Sequence, residues 1–109
     1  MKIKCDFVTN SSSASFIMYF RTNDDTVEEF VTRIEKLLSD ISYHRNFSNA
    51  RIERVTEGIY RMIDWTSMYN YNDDMPNYMK SILVEYHLNR SNIFKNGIKE
   101  IIFEISDDY

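Results

Sequence analysis

The apolar positions of this chain change period several times, and each change marks an element. Residues Lys2 to Val8 alternate, with Ile3, Cys5 and Phe7 on one side and Lys2, Lys4 and Asp6 on the other, as in a half-buried strand. The polar run Thr9 to Ser13 then favours a loop, because its side chains compete for backbone hydrogen bonds. Ser15 to Arg21 carries Phe16, Ile17, Met18, Tyr19 and Phe20 in succession, which predicts a central strand covered on both faces or nearly so.

A helix follows. Asp25 is placed as its N-cap, with Glu28 completing a capping box. Val27, Phe30, Val31, Ile34, Leu37, Leu38 and Ile41 then recur at steps of three and four, giving one apolar stripe. Arg51 to Trp65 admits two readings. As a helix it would align Ile52, Val55, Ile59, Met62 and Ile63; as a hairpin it would turn at Glu57-Gly58. Two features favour the hairpin: a mid-helix glycine costs about 1 kcal/mol against alanine, and Ile59 to Thr66 is rich in β-branched and aromatic residues. Asp73-Asp74-Met75-Pro76 opens a second helix that carries Met79, Ile82, Leu83, Tyr86, Ile93 and Phe94, with Arg90 interrupting the stripe, until Asn96-Gly97 stops it. Val84 to Leu88 alternates well enough to offer a rival strand reading. Ile98 to Ile105 forms the last strand.

From Ser13 to Ser106 the order is therefore strand, helix, strand, strand, helix, strand. It resembles the ferredoxin-like split βαβ arrangement, an α+β fold with an antiparallel sheet and two helices on one face. The Lys2–Val8 strand is extra and must extend a sheet edge or lie outside the sheet. Right-handed crossovers would put the tight connections at Asn23–Asp25, Glu57-Gly58 and Asn96-Gly97 at one end of the sheet. The longer connections would gather at the other.

That second end is the expected working surface, because long loops cost ordering entropy and add little core. Trp65, Tyr69, Tyr71 and Tyr78 would supply rigid contact area there, and Asp73 and Asp74 negative charge. Loops rich in Tyr, Ser and Asn are what protein-binding surfaces favour. The plainer reading is that the tyrosines lid the core and the two acids cap a helix.

At 109 residues, 43% of them hydrophobic and 15% aromatic, the chain suits one domain spanning residues 1–109 with a single core. The formal charge of −4 argues against a phosphate-backbone binder. A single cysteine excludes an intrachain disulfide, and Cys5 reads as a small core residue. His44 and His87 have no neighbours that would make either a general base, and the two glycines are too few for an oxyanion loop. The Asp-Asp pairs lack calcium-loop spacing. No enzyme activity, metal or cofactor is expected. With no signal-peptide pattern and no run near the roughly 20 apolar residues of a membrane span, a cytoplasmic location is expected.

The stretch Phe7-Val8-Thr9-Asn10-Ser11-Ser12-Ser13-Ala14-Ser15-Phe16 resembles the opening of a group of small uncharacterised bacterial and mobile-element proteins. The short, acidic, aromatic profile is also similar to phage-encoded, anti-CRISPR-like inhibitors of bacterial defence. That profile implies a protein partner, namely a basic surface of a nuclease complex. Two other readings stand beside it. An RNA-recognition-like module would stack bases on the aromatics of the central strands, among them Phe16, Tyr19, Phe20, Tyr60 and Trp65. A homodimer would bury the same sheet face and take no small-molecule ligand.

Overall fold

The structure, a computed structural model, describes residues 13–41, 50–67 and 75–108, with the backbone alone at residues 13, 14, 65–67, 107 and 108. The Lys2–Val8 strand expected from the alternation lies outside the described residues. Seven elements follow in order: β1 (Ser13–Arg21), α1 (Val27–Asp40), β2 (Arg51–Thr56), β3 (Ile59–Ser67), α2 (Asn77–Leu88), α3 (Arg90–Lys95) and β4 (Glu100–Asp108). The four strands form one sheet in the order β2-β3-β1-β4, every neighbouring pair antiparallel. The fold is α+β with the helices packed on one side of the sheet, as the periodicity predicts.

Residues 51–67 are the hairpin. Gly58 turns it with φ of 77°, and its carbonyl accepts from the Thr22 amide at 2.9 Å. The alternation of β1 is then resolved by its partners. Phe16, Met18 and Phe20 are fully buried, with Tyr60 and Met62 beside them on β3 and Ile101 on β4. From the helices, Phe30, Ile34, Leu37, Met79, Ile82 and Ile93 complete this core. Each such side chain contributes about 1.5–3 kcal/mol on burial. The Phe30 ring stacks on Tyr60 at 4.7 Å between centroids, tying α1 to the hairpin.

Three expectations need correction. The cap of α1 is Thr26, whose hydroxyl accepts from the Glu29 amide at 3.1 Å, while Glu29 Oε1 accepts from the Asp25 amide at 2.8 Å. The capping pattern is present, one residue later than Asp25 and Glu28. The second helix is two helices, broken at Asn89, whose φ of −144° and ψ of 63° leave the helical region. Ser91 Oγ donates to the Asn89 side chain and Asn92 Nδ2 to Glu85 across the break, a side-chain alternative to the missing helical bonds. Finally, β1 is covered fully on one face only, since Ile17 and Tyr19 are half-buried.

The register settles the ends of the sheet. Ser13 lies opposite both Ser67 and Asp108, so β1 begins where β3 and β4 finish. The three turns after Arg21, Thr56 and Lys95 share the opposite end. There Lys99 donates its amide to the Arg21 carbonyl at 2.8 Å.

Candidate protein-binding face

The residues proposed from the sequence fare unequally. Tyr69, Tyr71, Asp73 and Asp74 lie outside the described residues. Trp65 is in β3 opposite Ser15, and its side chain is likewise outside the description. Tyr78 is 5% exposed, and its hydroxyl donates to Asp64 Oδ2 at 2.7 Å. It belongs to the core wall, not to an exposed contact surface. Its spacing of four from the buried Ile82 was the signal for this in the sequence.

The face of the sheet away from the helices carries the odd-numbered residues of β1 and β3, the even-numbered residues of β4, and Arg51 and Glu53 of β2, whose register shifts after Arg54 so that Thr56 lies opposite Ile59. Read across from β2 to β4, one row is Arg51, Ile63, Ile17 and Glu104. The next is Glu53, Arg61, Tyr19 and Ile102. Ile63 is buried and forms the floor, whereas Ile102 is 53% exposed at the β4 side. The Tyr19 ring lies 5.9 Å below the Arg61 guanidinium, and its hydroxyl donates to Glu104 Oε1 at 3.4 Å. Alternation alone places these side chains: Ile17 and Tyr19 point away from the core because Phe16, Met18 and Phe20 point into it.

Electrostatically this face neutralises itself. Arg61 and Arg51 both pair with Glu53, and Arg21 pairs with Glu100 at 3.3 Å. The hydrogen bond from Arg61 holds the Glu53 carboxyl below its usual range, and that same bond raises the Arg61 guanidinium. The three guanidiniums each pair with a carboxylate in their own sheet, with Arg61 Nε left buried and without a partner among the described residues. Of the aromatics considered as base-stacking platforms, Phe16, Phe20 and Tyr60 are in the core. A phosphate-binding strip would need basic groups without acidic partners beside exposed rings. This arrangement lacks that combination.

A second concavity, of about 570 Å³, lies at the tight-turn end beside Asn23, Asp24, Arg33 and Asn96. Arg33 grips Asp24 with two parallel bonds of 2.7 Å, Nε to Oδ2 and Nη2 to Oδ1, and its Nη1 donates to the Asn96 carbonyl. Thr22 Oγ1 adds a donor to Asp24 at 2.8 Å. Arg33 bonding, opposed by burial, lowers the Asp24 carboxyl, and the same pairing raises Arg33. Apart from Asn96 Oδ1, which is buried without a partner among the described residues, these groups are spent on one another: the cluster latches the β1–α1 turn, α1 and the end of α3 together. The sequence hid it, because Arg33 and Asn96 are far apart in the chain.

Among the described residues, no three His, Cys, Asp or Glu side chains converge as a metal site would require. Nor is any helix among them long and apolar enough to cross a membrane.

No family model matches this chain, and no curated protein matches it significantly. Protein SO0527 from Shewanella oneidensis is a solved structure of similar fold, with a TM-score of 0.49 and 9% identity. The likeness covers 91% of this chain and 93% of that one. At that level it contributes nothing to the functional reading.

Proposed function

We propose that this chain is a non-enzymatic protein-binding module that meets its partner with the open face of its sheet. The observation that carries the reading is the row Glu53, Arg61, Tyr19, Ile102: an aromatic ring and an exposed aliphatic flanked by charges already paired with each other. Such a surface can be desolvated by an apolar partner without stranding a lone charge, the condition a stable protein interface must meet. Tyr and Arg are also the side chains that concentrate binding energy at interface centres. Strand β3 runs on through Trp65, while Tyr69, Tyr71, Asp73 and Asp74 are contacts proposed from the sequence alone. The more specific role, an anti-CRISPR-like inhibitor docking on a basic surface of a defence nuclease complex, is supported by the sequence profile.

Affinity capture with three baits tests the surface: the native chain, Ile102→Asp and Tyr19→Ala. The substitutions should abolish a partner band that the native chain retains, with far-ultraviolet circular dichroism unchanged. Equal capture by all three would reject this face. Titration against a purified defence nuclease cleaving labelled DNA tests the inhibitor role, which fails if cleavage is unaffected at saturating protein.

A further inference from the structure

We infer that the protein seated on this face is a second copy of the chain, packed sheet to sheet about a two-fold axis that runs along the strands. The inference rests on the protein-binding reading above and replaces the nuclease surface as the occupant of this face.

The case is made by the order of residues across the sheet. A two-fold axis lying in the contact plane and parallel to the strands reverses the sequence of strands but keeps each row against itself. The first row then sets Arg51 against Glu104 of the second copy, and Ile63 against its Ile17. The second row sets Arg61 over Tyr19 of the second copy, the geometry its guanidinium already favours within the chain. Two mismatches result: Glu53 faces Ile102 and retains Arg61 and Arg51 as counter-charges, and in the following row of Thr56, Ile59, Arg21 and Glu100, Arg21 faces Ile59 and retains Glu100.

The other symmetric arrangement is worse. An axis running across the strands keeps each strand over itself and inverts the rows. It would bring Glu104 against Glu100 and stack Arg61 on Arg61. Like charges facing each other across a drying interface disfavour association. Sheets packed face to face keep their strands within about 30° of alignment, which the first arrangement allows.

Size sets the strength. Four strands spaced ~4.8 Å, six residues long in β2 and nine in the others, give a footprint of roughly 19 by 20–30 Å per copy, so the pair buries on the order of 1,000 Å², the low end for a stable interface. The dimer should therefore dissociate reversibly over an accessible concentration range.

Light scattering on the full chain, after size exclusion at increasing loading concentrations, tests this. The mass should climb from one chain to two. Glu104→Arg should weaken the dimer about tenfold or more. Adding Arg51→Glu in the same chain should restore it, because the facing pair is then swapped on both sides. Both positions are exposed, and circular dichroism checks the fold of each variant. As a second measurement, in a Cys5→Ser background, a mixture of Arg51→Cys and Glu104→Cys chains should be joined by a short bismaleimide, because sheets ~10 Å apart hold facing residues beyond direct disulfide reach, and neither chain alone should be. A native chain that stays monomeric at the highest loading overturns the inference, as does a double variant without rescue. A monomer whose capture of a different protein is still lost on Ile102→Asp would leave the sheet-face reading standing and remove only the second copy.

Discussion

The guanidinium of Arg33 occupies the space that a side chain on residue 97 would need. A Cβ on Gly97 would come within 2.1 Å of Arg33 Nη1 and 2.9 Å of its Cζ, at a backbone φ of 84°. Gly97 is thus required twice, for its left-handed backbone and for the arginine beside it. Gly97→Ala should cost about 3 kcal/mol or more, since the strained backbone adds to the disruption of a partly buried ion pair. Gly58→Ala, where a Cβ would lie 3.1 Å from the Thr22 carbonyl oxygen, should cost less, about 1–2 kcal/mol. Urea denaturation of both variants measures the difference, and equal costs would deny the arginine its part.

Acid should act through Asp24. Bonds from Arg33 hold its carboxyl below the usual carboxylate range, so the folded state binds that proton less readily than the unfolded chain. Its contribution is fully present above the unfolded value, roughly pH 4, and disappears as pH falls through the lower folded value. Asp24→Ala should cost about 2–4 kcal/mol at neutral pH by leaving Arg33 without its carboxylate. It should also flatten the acid limb of a stability-against-pH curve. An unaltered limb would assign acid sensitivity to other groups.

Alkali should act through Tyr60. Burial raises its phenol above the ordinary value, and its hydroxyl donates to the Asp24 carbonyl at 2.7 Å. The neutral form is the one the fold accepts. Stability from this group is complete below about pH 10 and is lost as pH rises through the higher folded value. Tyr60→Phe should cost about 1 kcal/mol at neutral pH, keep the stack on Phe30, and remove part of the alkaline transition. Thermal melts from neutral to strongly alkaline pH follow it.

The break between α2 and α3 is held by Asn92 Nδ2 donating to Glu85 Oε2 at 2.8 Å. Asn92→Ala and Glu85→Ala should each cost roughly 0.5–1 kcal/mol, and the double variant less than their sum, because both remove the same bond. Strict additivity in a double-mutant cycle would show that the two side chains do not cooperate.

How far the sequence foretells this molecule depends on the range of the determining contact. The hairpin at Gly58 was legible because a glycine between β-branched runs has a local explanation. The core side of β1 was recoverable too, once one face of the sheet was assigned to the helices. The cap of α1 was ambiguous, since Asp25 with Glu28 and Thr26 with Glu29 both satisfy the same spacing. Asp24, turned inward by Arg33, helps to fix which residues begin the helix. Asn89 gives no local warning, because an asparagine inside an otherwise apolar phase is tolerable in isolation, and the side-chain bonds around it accompany the break. The open face could not be assembled from sequence. Tyr19, Arg61 and Ile102 become neighbours only through the pairing of β1 with β3 and β4.

That pairing also governs when the chain can fold. β1 is hydrogen-bonded on one side to β3 and on the other to β4, the last of the described elements. During synthesis an early-made strand must wait, one flank unsatisfied, until residues 100–108 leave the ribosome. Nascent chains halted before Glu100 should present a raw β edge to chaperones.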